Sequence, residues 1–327
     1  MVNIRAIIPV AGVGSRLRPH TYTLPKVLLN VAGKPIIGHI MDKITSEGIE
    51  KATFIVGYLG EMVEEFIRDN YKIQCDFIYQ EERKGLGHAV HMAKETFGED
   101  ELLIILGDTI FDVDLRLMLS SKSSALGVKK VSDPRRFGVA VVQNGTITKL
   151  VEKPETQISN LAIVGLYYIK NSKLLEKCLD KLISSQTLTK GEYQLTDALE
   201  LMIQSGEKFE PFIVEGWYDC GKPETLLATN HHLLKVQNNF NEVPGVQIIP
   251  PVFISPNSKI KNSIIGPYST INDGAEISNS IIKNSIIGYK AIVENSLLHD
   301  SIIGNNSIIK GQYKKLNTGD SSEIEFY

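Results

Sequence analysis

The feature that most constrains the fold is a series of apolar residues that recur every five or six positions between residues 254 and 309. An α-helix cannot bury residues at this spacing on one face, but a coil with three flat sides can, with one short strand on each side. Each coil covers the apolar residues of the next, so stability comes from neighbouring coils. The spacing predicts a parallel β-helix of roughly three and a half coils. Its eleven inward positions are Ile254, Ile260, Ile265, Ile271, Ile277, Ile282, Ile287, Val293, Leu298, Ile303 and Ile309.

The first part of the chain has a different pattern, because short apolar runs alternate with stretches of helical period from residue 4 to about residue 235. This alternation predicts an α/β fold: a Rossmann-like, mostly parallel mixed sheet with helices on both faces. The predicted strands are 5–10, 52–56, 75–79 and 102–106, and the predicted helices are 35–44, 61–68 and 87–94. Ligands of such sheets bind beyond the carboxyl ends of the strands. Because Gly12, Gln80 and Asp108 each follow a strand, we expect them to converge.

A polar segment punctuated by Pro and Gly separates the two patterns. We therefore predict an α/β domain at 1–237, a linker at 238–251, a short left-handed β-helix at 252–311 and a C-terminal tail at 312–327.

Composition excludes several classes of protein. A formal net charge of -3 over 327 residues gives no electrostatic reason to expect nucleic-acid binding. No stretch approaches the roughly 20 apolar residues of a membrane span, and the amino terminus does not have the pattern of a signal peptide. The three cysteines are far apart and form no disulfide or metal-binding pattern. We expect a soluble cytoplasmic protein.

The loop after the first strand is suited to binding phosphate. Gly12 and Gly14 allow backbone N–H groups to approach an anion closely. Arg16 adds a planar, permanently charged fork, and Lys26, after Pro25, adds a compact charge. A Walker A loop is excluded because no Gly-Lys-Ser/Thr ends the segment, and a dinucleotide fingerprint is excluded because residue 17 is Leu rather than Gly.

A series of motifs resembles the sugar-1-phosphate nucleotidylyltransferases, also called nucleotide-sugar pyrophosphorylases, over about residues 3–235. The glucose-1-phosphate thymidylyltransferases and uridylyltransferases are the most similar members. The repeat half resembles the left-handed β-helix appended to many members. The motifs are Gly12-Val-Gly-Ser-Arg16-Leu-Arg-Pro, Pro25-Lys26, Gly33-Lys-Pro35, Gln80, Gly85-Leu-Gly-His88-Ala, Leu106-Gly-Asp108, Phe137-Gly138-Val, Val151-Glu152-Lys153-Pro154, Asn160-Leu-Ala-Ile-Val-Gly165, Gly191-Glu192-Tyr-Gln-Leu-Thr-Asp197 and Trp217-Tyr-Asp219-Cys-Gly221.

The resemblance implies attack by a sugar-1-phosphate oxygen on the α-phosphorus of a nucleoside triphosphate, with release of pyrophosphate. It implies catalytic roles for Arg16, Lys26 and Lys153, and Mg²⁺ held by Asp108 and Asp219. The implied nucleotide-binding residues are Ala11, Gly12, Gly14, Ser15, Arg16, Gln80, Gly85 and Asp108. The implied sugar-phosphate-binding residues are Gly138, Glu152, Lys153, Asn160, Val164 and Glu192. We expect His88 to pack at the start of a helix, and Thr196 and Asp197 to begin and cap another.

The motifs favour a pyrimidine nucleotide, dTTP or UTP, and glucose-1-phosphate. Guanylyl transfer to mannose-1-phosphate remains open, as does a non-catalytic nucleotide-sugar sensor or regulatory subunit. The β-helix is expected to act as a platform for a homo-oligomer. An acyltransferase site there is the alternative, for which His299 is the one histidine that the repeats offer.

Overall fold

The computed structural model describes residues 3–237, 240, 242–311 and 321–322. The chain splits into two compact units, Met1–Leu29 with Lys34–Thr229 and Asn30–Gly33 with Asn230–Tyr327. The boundary between the two units therefore follows residue 229, whereas the sequence pattern predicted it after residue 237. Residues 30–33 join the second unit because the backbone N–H of Ala32 donates to Asn230 Oδ1 at 2.8 Å. Apart from residues 321 and 322, the predicted tail lies outside the described residues.

The first unit contains most of the helices and the longer strands. The helices are α1 (Ile36–Ser46), α2 (Gly60–Asn70), α3 (Leu86–Met92), α4 (Leu115–Leu119), α5 (Ser172–Ser184), α6 (Leu195–Gln204) and α7 (Pro223–Val236), which crosses the division. The strands up to the division, of which β2 belongs to the second unit, are β1 (Ile4–Pro9), β2 (Asn30–Val31), β3 (Lys34–Pro35), β4 (Lys51–Val56), β5 (Gln74–Tyr79), β6 (Glu101–Ile105), β7 (Thr109–Asp112), β8 (Ser124–Lys130), β9 (Gly138–Gln143), β10 (Thr146–Glu152), β11 (Leu161–Ile169), β12 (Phe209–Ile213) and β13 (Gly216–Asp219). No helix in the described part of the chain is both long and apolar enough to cross a bilayer.

Nine strands form one mixed sheet in the order β5-β4-β1-β6-β11-β8-β12-β10-β9. Strands β5, β4, β1 and β6 run parallel to one another, as predicted from the alternation of strands and helices. Strand β11 is antiparallel to β6 and to β8, so the second half of the sheet is mixed. The parallel half aligns the carboxyl ends of β1, β5 and β6 at one edge.

Alternate strand residues face opposite sides of the sheet, and each side is covered by helices. Ala6 and Ile8 belong to the core that contains the buried residues of α1 and α2. Ile7 belongs to the core that contains the buried residues of α3, α5 and α6. All three residues are fully buried. The side chains of these strands are thus used for packing, and the chemistry is left to the loops that follow them.

The second unit is built from twelve short strands in the described residues. They are β14 (Gln247–Ile248), β15 (Val252–Ile254), β16 (Lys259–Lys261), β17 (Ile264–Ile265), β18 (Ser269–Ile271), β19 (Glu276–Ser278), β20 (Ile281–Lys283), β21 (Ile286–Ile287), β22 (Ile292–Glu294), β23 (Leu297–His299), β24 (Ile302–Ile303) and β25 (Ile308–Lys310). They form three parallel sheets of four strands, which are the three faces of the predicted left-handed β-helix. Each strand pairs with the strand 16 or 17 residues later, as Val252 does with Ser269 and Glu276 with Ile292.

The β-helix begins earlier than the sequence pattern indicated. Strand β14 pairs with β17 through Gln247 and Ile264, and through Ile248 and Ile265. Its residues lie inside the segment predicted as a linker. Ile248 is surrounded by Pro and Gly, which hid its place in the repeat. The described coils therefore number four rather than three and a half.

Each of six corners of the β-helix has Asn or Asp in a left-handed conformation, followed by Ser. The φ angles are +45° at Asn262, +49° at Asn279, +43° at Asn284, +52° at Asn295, +51° at Asp300 and +56° at Asn306. Asn and Asp tolerate this conformation better than other residues with a Cβ atom. The serine that follows connects coils, since Ser263 Oγ accepts from the N–H of Ser280 at 3.1 Å. This Asn-Ser repeat is visible in the sequence as a second signal beside the apolar period.

Candidate active site

One side of the loop after β1 packs against the protein, and the other side borders open space. Gly14 has φ +60°, and a Cβ atom there would lie 2.9 Å from Thr21 Cγ2. The Thr21 hydroxyl donates to the Gly14 carbonyl at 2.8 Å, and Leu17 is fully buried. At Gly12, by contrast, no atom lies within 4 Å of the position that a Cβ would take. The backbone at Gly12 therefore borders open space that a ligand could occupy.

The two predicted cations of this loop are held differently. Lys26 lies in a short 3₁₀ turn after Pro25 and is 7% exposed. Its Nζ lies 2.8 Å from Asp108 Oδ2. Arg16 is exposed and makes no salt bridge with the described residues. The Lys26 ammonium is thus fixed by the protein, whereas the Arg16 guanidinium is available to an anion.

Two paired strands bring the predicted metal ligands together. In the antiparallel pair of β7 and β13, Asp219 is opposite Thr109, and the N–H of Cys220 donates to the carbonyl of Asp108 at 3.0 Å. Asp219 Oδ2 accepts from the Thr225 hydroxyl at 3.1 Å. The two carboxylates, separated by 111 positions in sequence, therefore lie on adjacent backbone segments.

Gly221 connects this carboxylate pair to Arg16. A Cβ atom at Gly221 would lie 2.9 Å from Arg16 Nη2 and 2.9 Å from Asp219 Oδ1. The guanidinium and the carboxylate therefore both closely approach the backbone at Gly221. Gly221 was part of a recognised motif but was not predicted as a site residue. Its position directly after Asp219 and Cys220 is the feature of the sequence that indicates it.

The residues present fit a divalent cation held by two carboxylates. Asp219 Oδ1 makes no hydrogen bond to the described residues, and Asp108 Oδ1 accepts only a long bond of 3.3 Å from the Thr109 hydroxyl. Carboxylate oxygens are ligands that Mg²⁺ prefers, with water and phosphate completing its shell. Nowhere in the described residues do three or more His, Cys, Asp or Glu side chains form a group that could hold a metal, so such an ion would need further ligands from a substrate or water.

One cavity of about 470 Å³ is lined by all eight predicted nucleotide-binding residues. This volume is within the range of small-molecule sites. Ala11, Gly12, Gly14, Ser15, Arg16, Lys26, Gln80, Gly85, Asp108 and Glu192 all line it, together with Gly221 and Arg83. Gly12, Gln80 and Asp108 therefore converge as expected from the ends of their strands. Arg83 was not predicted, although it is an arginine in the loop that directly follows Gln80.

The loop after β5 is braced by the segment before α6. Gly85 has φ +106°, and a Cβ there would lie 2.5 Å from the Tyr193 carbonyl oxygen and 2.8 Å from Glu192 Cβ. The N–H of Gly87 donates to the Tyr193 carbonyl at 2.8 Å. This close approach requires glycine at residue 85 and places Glu192 at the cavity.

The residues predicted to bind the sugar form a second cluster. Glu152 Oε2 accepts from the Thr196 hydroxyl at 2.7 Å, and a Cβ at Gly138 would lie 2.9 Å from the same oxygen. Lys153 Nζ lies 3.4 Å from Glu152 Oε1. Thr196 is therefore a polar partner of Glu152 rather than a helix cap. Residue 194 is the N-cap of α6, and it makes no side-chain capping bond.

Lys153 borders a different cavity from Arg16 and Lys26. This second cavity, of about 570 Å³, is lined by Asp133, Arg135, Arg136, Lys153, Pro154, Glu155 and Lys190. Asn160 is partly buried, and its carbonyl accepts from the N–H of Val131 at 2.9 Å. Val164 is 2% exposed and belongs to the core. The structure thus separates the Lys153 side chain from the loop cations and leaves the Val164 side chain no access to a ligand.

Burial controls the protonation of two groups near these sites. It raises the pKa of the Cys220 thiol to about 12, so this cysteine stays a neutral thiol and is not a nucleophile. Burial also lowers the pKa of His88, which favours the neutral imidazole.

Comparisons with known proteins show which proteins the chain is similar to. The family model "Nucleotidyl transferase" matches residues 5–236. The chain is 33% identical over 242 residues to the low-salt glycan biosynthesis nucleotidyltransferase Agl11 of Haloferax volcanii, an alignment that covers 71% of this chain and 66% of Agl11. It is 34% identical to the UTP–glucose-1-phosphate uridylyltransferase AglF of the same organism, over 68% of this chain and 93% of AglF.

A crystal structure of UDP-glucose pyrophosphorylase complexed with UDP-glucose has the same fold. It superposes with a TM-score of 0.63 at 24% identity, over 72% of this chain and all of the other. The chain thus spans slightly less than two thirds of Agl11, and its alignment with AglF is limited to about the length of the first unit.

Proposed function

The chain belongs to the nucleotidyl transferase family, and from this premise we propose that it transfers a nucleotidyl group from UTP or dTTP to glucose-1-phosphate. The products are the nucleoside diphosphate glucose and pyrophosphate. The observation that carries the proposal is the single cavity lined by Arg16, Lys26, Asp108, Gln80 and Gly85. The uridylyltransferase activity named for AglF supports the choice of substrates. A cytoplasmic location is part of this proposal.

The proposed reaction is an in-line displacement at phosphorus. A phosphate oxygen of glucose-1-phosphate attacks the α-phosphorus and forms a new P–O bond. The bond from the α-phosphorus to the oxygen that bridges to the β-phosphate breaks, and pyrophosphate leaves with that electron pair. Catalysis then consists of alignment of two anions and neutralisation of their charge, because no covalent help from the protein is required.

Arg16 and Lys26 have complementary parts in this reaction. Arg16, with no salt-bridge partner among the described residues, is proposed to bind the triphosphate and the charge that develops on it. Lys26 is fixed by Asp108 at 2.8 Å, and it is proposed to offer its remaining N–H donors to the α-phosphate. Backbone N–H groups near Gly12 and Gly14 would add neutral donors, since a glycine turn can surround an anion.

We assign Asp108 and Asp219 as the residues that would hold Mg²⁺. The unbonded Asp219 Oδ1 and the weakly bonded Asp108 Oδ1 support this assignment. A bound Mg²⁺ would neutralise phosphate charge and orient the substrates.

The sugar is assigned to the cluster around Glu152. The Glu152 carboxylate and the Thr196 hydroxyl offer polar partners for sugar hydroxyls, and the lack of a side chain at Gly138 lets the backbone approach both groups closely. Lys153 Nζ lies 3.4 Å from the Glu152 carboxylate, so this ammonium is proposed to bind the phosphate of the acceptor next to its sugar. Asn160 and Glu192 complete the proposed sugar contacts, and Val164 can contribute only through its backbone.

A panel of initial rates tests this proposal. We expect Mg²⁺-dependent release of pyrophosphate that is fastest when UTP or dTTP is combined with glucose-1-phosphate. The fastest rate with GTP and mannose-1-phosphate would replace the assignment with guanylyl transfer. Calorimetric binding without release of pyrophosphate from any pair would contradict catalysis and indicate a sensor.

We also propose that the chain self-associates through its β-helix. Ile264, Ile281 and Leu297 are aligned in register on one face, and Ile281 and Leu297 are 43% and 76% exposed. A flat row of exposed aliphatic side chains suits a second copy of the same row. Light scattering should show an oligomer that Leu297→Lys weakens and the neighbouring control Lys283→Ala does not. A monomeric unchanged protein would contradict self-association.

A further inference from the structure

The side chain of Gln80 is held at one end and free at the other. Gln80 follows β5, is 6% exposed and lines the nucleotide cavity. Its Nε2 lies 3.0 Å from His88 Nδ1. Its Oε1 takes no hydrogen bond from any residue that the structure describes. The amide therefore has one donor engaged within the protein, and its acceptor remains for a ligand.

The His88 ring is fixed independently of any ligand. It lies in α3, whose first turn is tied to Tyr193 by the Gly87 N–H bond of 2.8 Å. The ring stacks on Tyr193 with the two centroids 6.5 Å apart and the planes 27° from parallel. The N–H of Tyr193 in turn donates to the carbonyl of Lys84 at 2.8 Å. His88 can therefore act as a rigid support for the Gln80 amide.

The protonation of His88 decides which end of the amide faces the cavity. A neutral imidazole with its proton on Nε2 has a lone pair on Nδ1, so it attracts the Gln80 NH₂ group. Gln80 Oε1 then faces the cavity as an acceptor. Uracil and thymine present an N3–H donor, whereas cytosine presents N3 as an acceptor beside an amino group. An acceptor placed opposite N3 therefore pairs with uracil or thymine and repels N3 of cytosine.

We propose that His88 is a positioning residue that fixes the orientation of the Gln80 amide and thereby selects uracil or thymine over cytosine. This inference rests on the proposed role of Gln80 as the residue that contacts the base. His88 itself is not assigned any contact with the nucleotide.

The same geometry makes the selection depend on pH. Burial lowers the pKa of His88, the positive charges of Lys84 and His91 lower it further, and Glu82 opposes them. The Tyr193 ring also faces the His88 ring. The neutral ring is thus the form present at neutral pH. Below the pKa of His88, an N–H on Nδ1 would attract Gln80 Oε1 instead. The NH₂ group would then face the cavity, and preference for uracil should fall.

The test is the ratio of kcat/KM for UTP to that for CTP, with glucose-1-phosphate, from about pH 5.5 to about pH 8.5. Titration of the phosphate-binding residues cancels in this ratio because both nucleotides carry the same triphosphate. The wild-type ratio should decrease toward low pH. His88→Asn, whose Oδ1 can replace the Nδ1 acceptor without titrating, should keep the high ratio and remove its pH dependence. His88→Leu should lower the ratio at pH 8 by about tenfold or more, because the amide loses its support.

His91→Asn is the matched control, because His91 lies in the same helix but binds Asp180 at 2.9 Å rather than Gln80. It should leave the ratio at pH 8 unchanged. Thermal melting curves establish that each variant is folded. A His88→Leu ratio within twofold of wild type, or a His88→Asn ratio that decreases with pH as in wild type, would overturn the proposal.

Binding measurements separate this inference from the proposed function. Calorimetric titration with UTP and CTP gives the same preference as a ratio of Kd values, even without turnover. Absence of turnover with an intact, His88-dependent binding preference would refute only the enzymatic proposal. Turnover with equal preference in all variants would refute only the role of His88. A wild-type preference for a purine nucleotide would refute both the base assignment and the role of His88.

Discussion

The two units of this protein differ in the sequence separation of the residues that they bring together. In the α/β unit, the cavity is assembled from Gly12, Gln80, Asp108 and Gly221, which belong to four separate parts of the chain. In the β-helix, strands pair at a constant distance of 16 or 17 residues. Function is therefore concentrated in a few side chains of the first unit, whereas stability in the second is shared among equivalent neighbours. Changes in the first unit should affect turnover, and changes in the second should affect folding.

The left-handed residues of the two units show the same contrast. In the α/β unit, Gly14 and Gly85 take positive φ angles at positions where a Cβ would collide with a neighbour. In the β-helix, Asn and Asp take these angles at the corners, where the serines that follow link the coils. The first use shapes a ligand site, and the second turns the chain at regular intervals.

The largest expected effect is the loss of turnover in Arg16→Ala. Arg16 binds no carboxylate in the described structure, so its removal should reduce kcat about a thousandfold without lowering the melting temperature. Steady-state kinetics and thermal melting curves measure the two effects. Arg18→Ala is the control, because Arg18 stacks on Tyr22 at 4.9 Å and is not among the residues that line the cavity. Full activity in Arg16→Ala would remove Arg16 from the mechanism.

A core truncation in the β-helix should show the reverse behaviour. Ile282 is fully buried and is paired with Ile265 and Leu298 of the adjacent coils. Ile282→Ala should lower the free energy of unfolding of the β-helix by about 2–5 kcal/mol, with kcat/KM unchanged. Urea denaturation followed by circular dichroism measures this loss, and Ile308→Ala, at a 60% exposed position outside the proposed self-association row, is its control. A loss of turnover as large as the loss of stability would contradict the division of roles.

A smaller loss of stability is expected at a corner of the β-helix. Asn279→Val places a branched residue at φ +49° and should cost about 1–2 kcal/mol. Asn279→Gly should cost less, because glycine adopts this conformation freely. If urea denaturation gave the two variants equal stability, conformational preference would not explain the Asn residues at the corners.

The smallest effect is expected at the sugar cluster. Thr196→Val removes the hydroxyl that donates to Glu152 at 2.7 Å. We expect KM for glucose-1-phosphate to rise about fivefold to tenfold, with little change in KM for UTP. Thr196→Ser, which keeps the hydroxyl, should restore the wild-type KM. An increase confined to KM for UTP would instead assign Thr196 to the nucleotide.

Local patterns in the sequence predicted most of the architecture. Apolar runs and helical periods are properties of short segments, so the strands near residues 5–10 and 52–56 could be located without knowing their partners. The spacing of isoleucines likewise predicted the β-helix. The strand at Gln247–Ile248 was missed, although Ile248 lies six positions before Ile254, because the Pro and Gly residues around it are typical of a linker. The Asn-Ser corners carried a second signal that the spacing of apolar residues alone did not reveal.

The residues of the site that belong to local motifs could be predicted from the sequence. The contacts between segments that are distant in sequence could not. The glycine loop, Gln80 and Asp108 follow strands, so their convergence could be expected from the sheet. The bond between Thr196 and Glu152 joins residues 44 positions apart, and no local pattern indicates it. The Gln80–His88 contact depends on the packing of α3 against Tyr193. The separate cavity at Lys153 depends on the conformation of the loop that follows β10. These details are set by packing, which sequence spacing does not encode.

The most direct test of the central claim is to follow the α-phosphate of the nucleotide. With UTP labelled at the α-phosphorus, glucose-1-phosphate and Mg²⁺, the account predicts that all transferred label appears in UDP-glucose and none in pyrophosphate. UTP labelled at the γ-phosphorus should give labelled pyrophosphate and unlabelled UDP-glucose. Transfer of the γ-label to the sugar phosphate, or no transfer of either label, would contradict nucleotidyl transfer at this cavity.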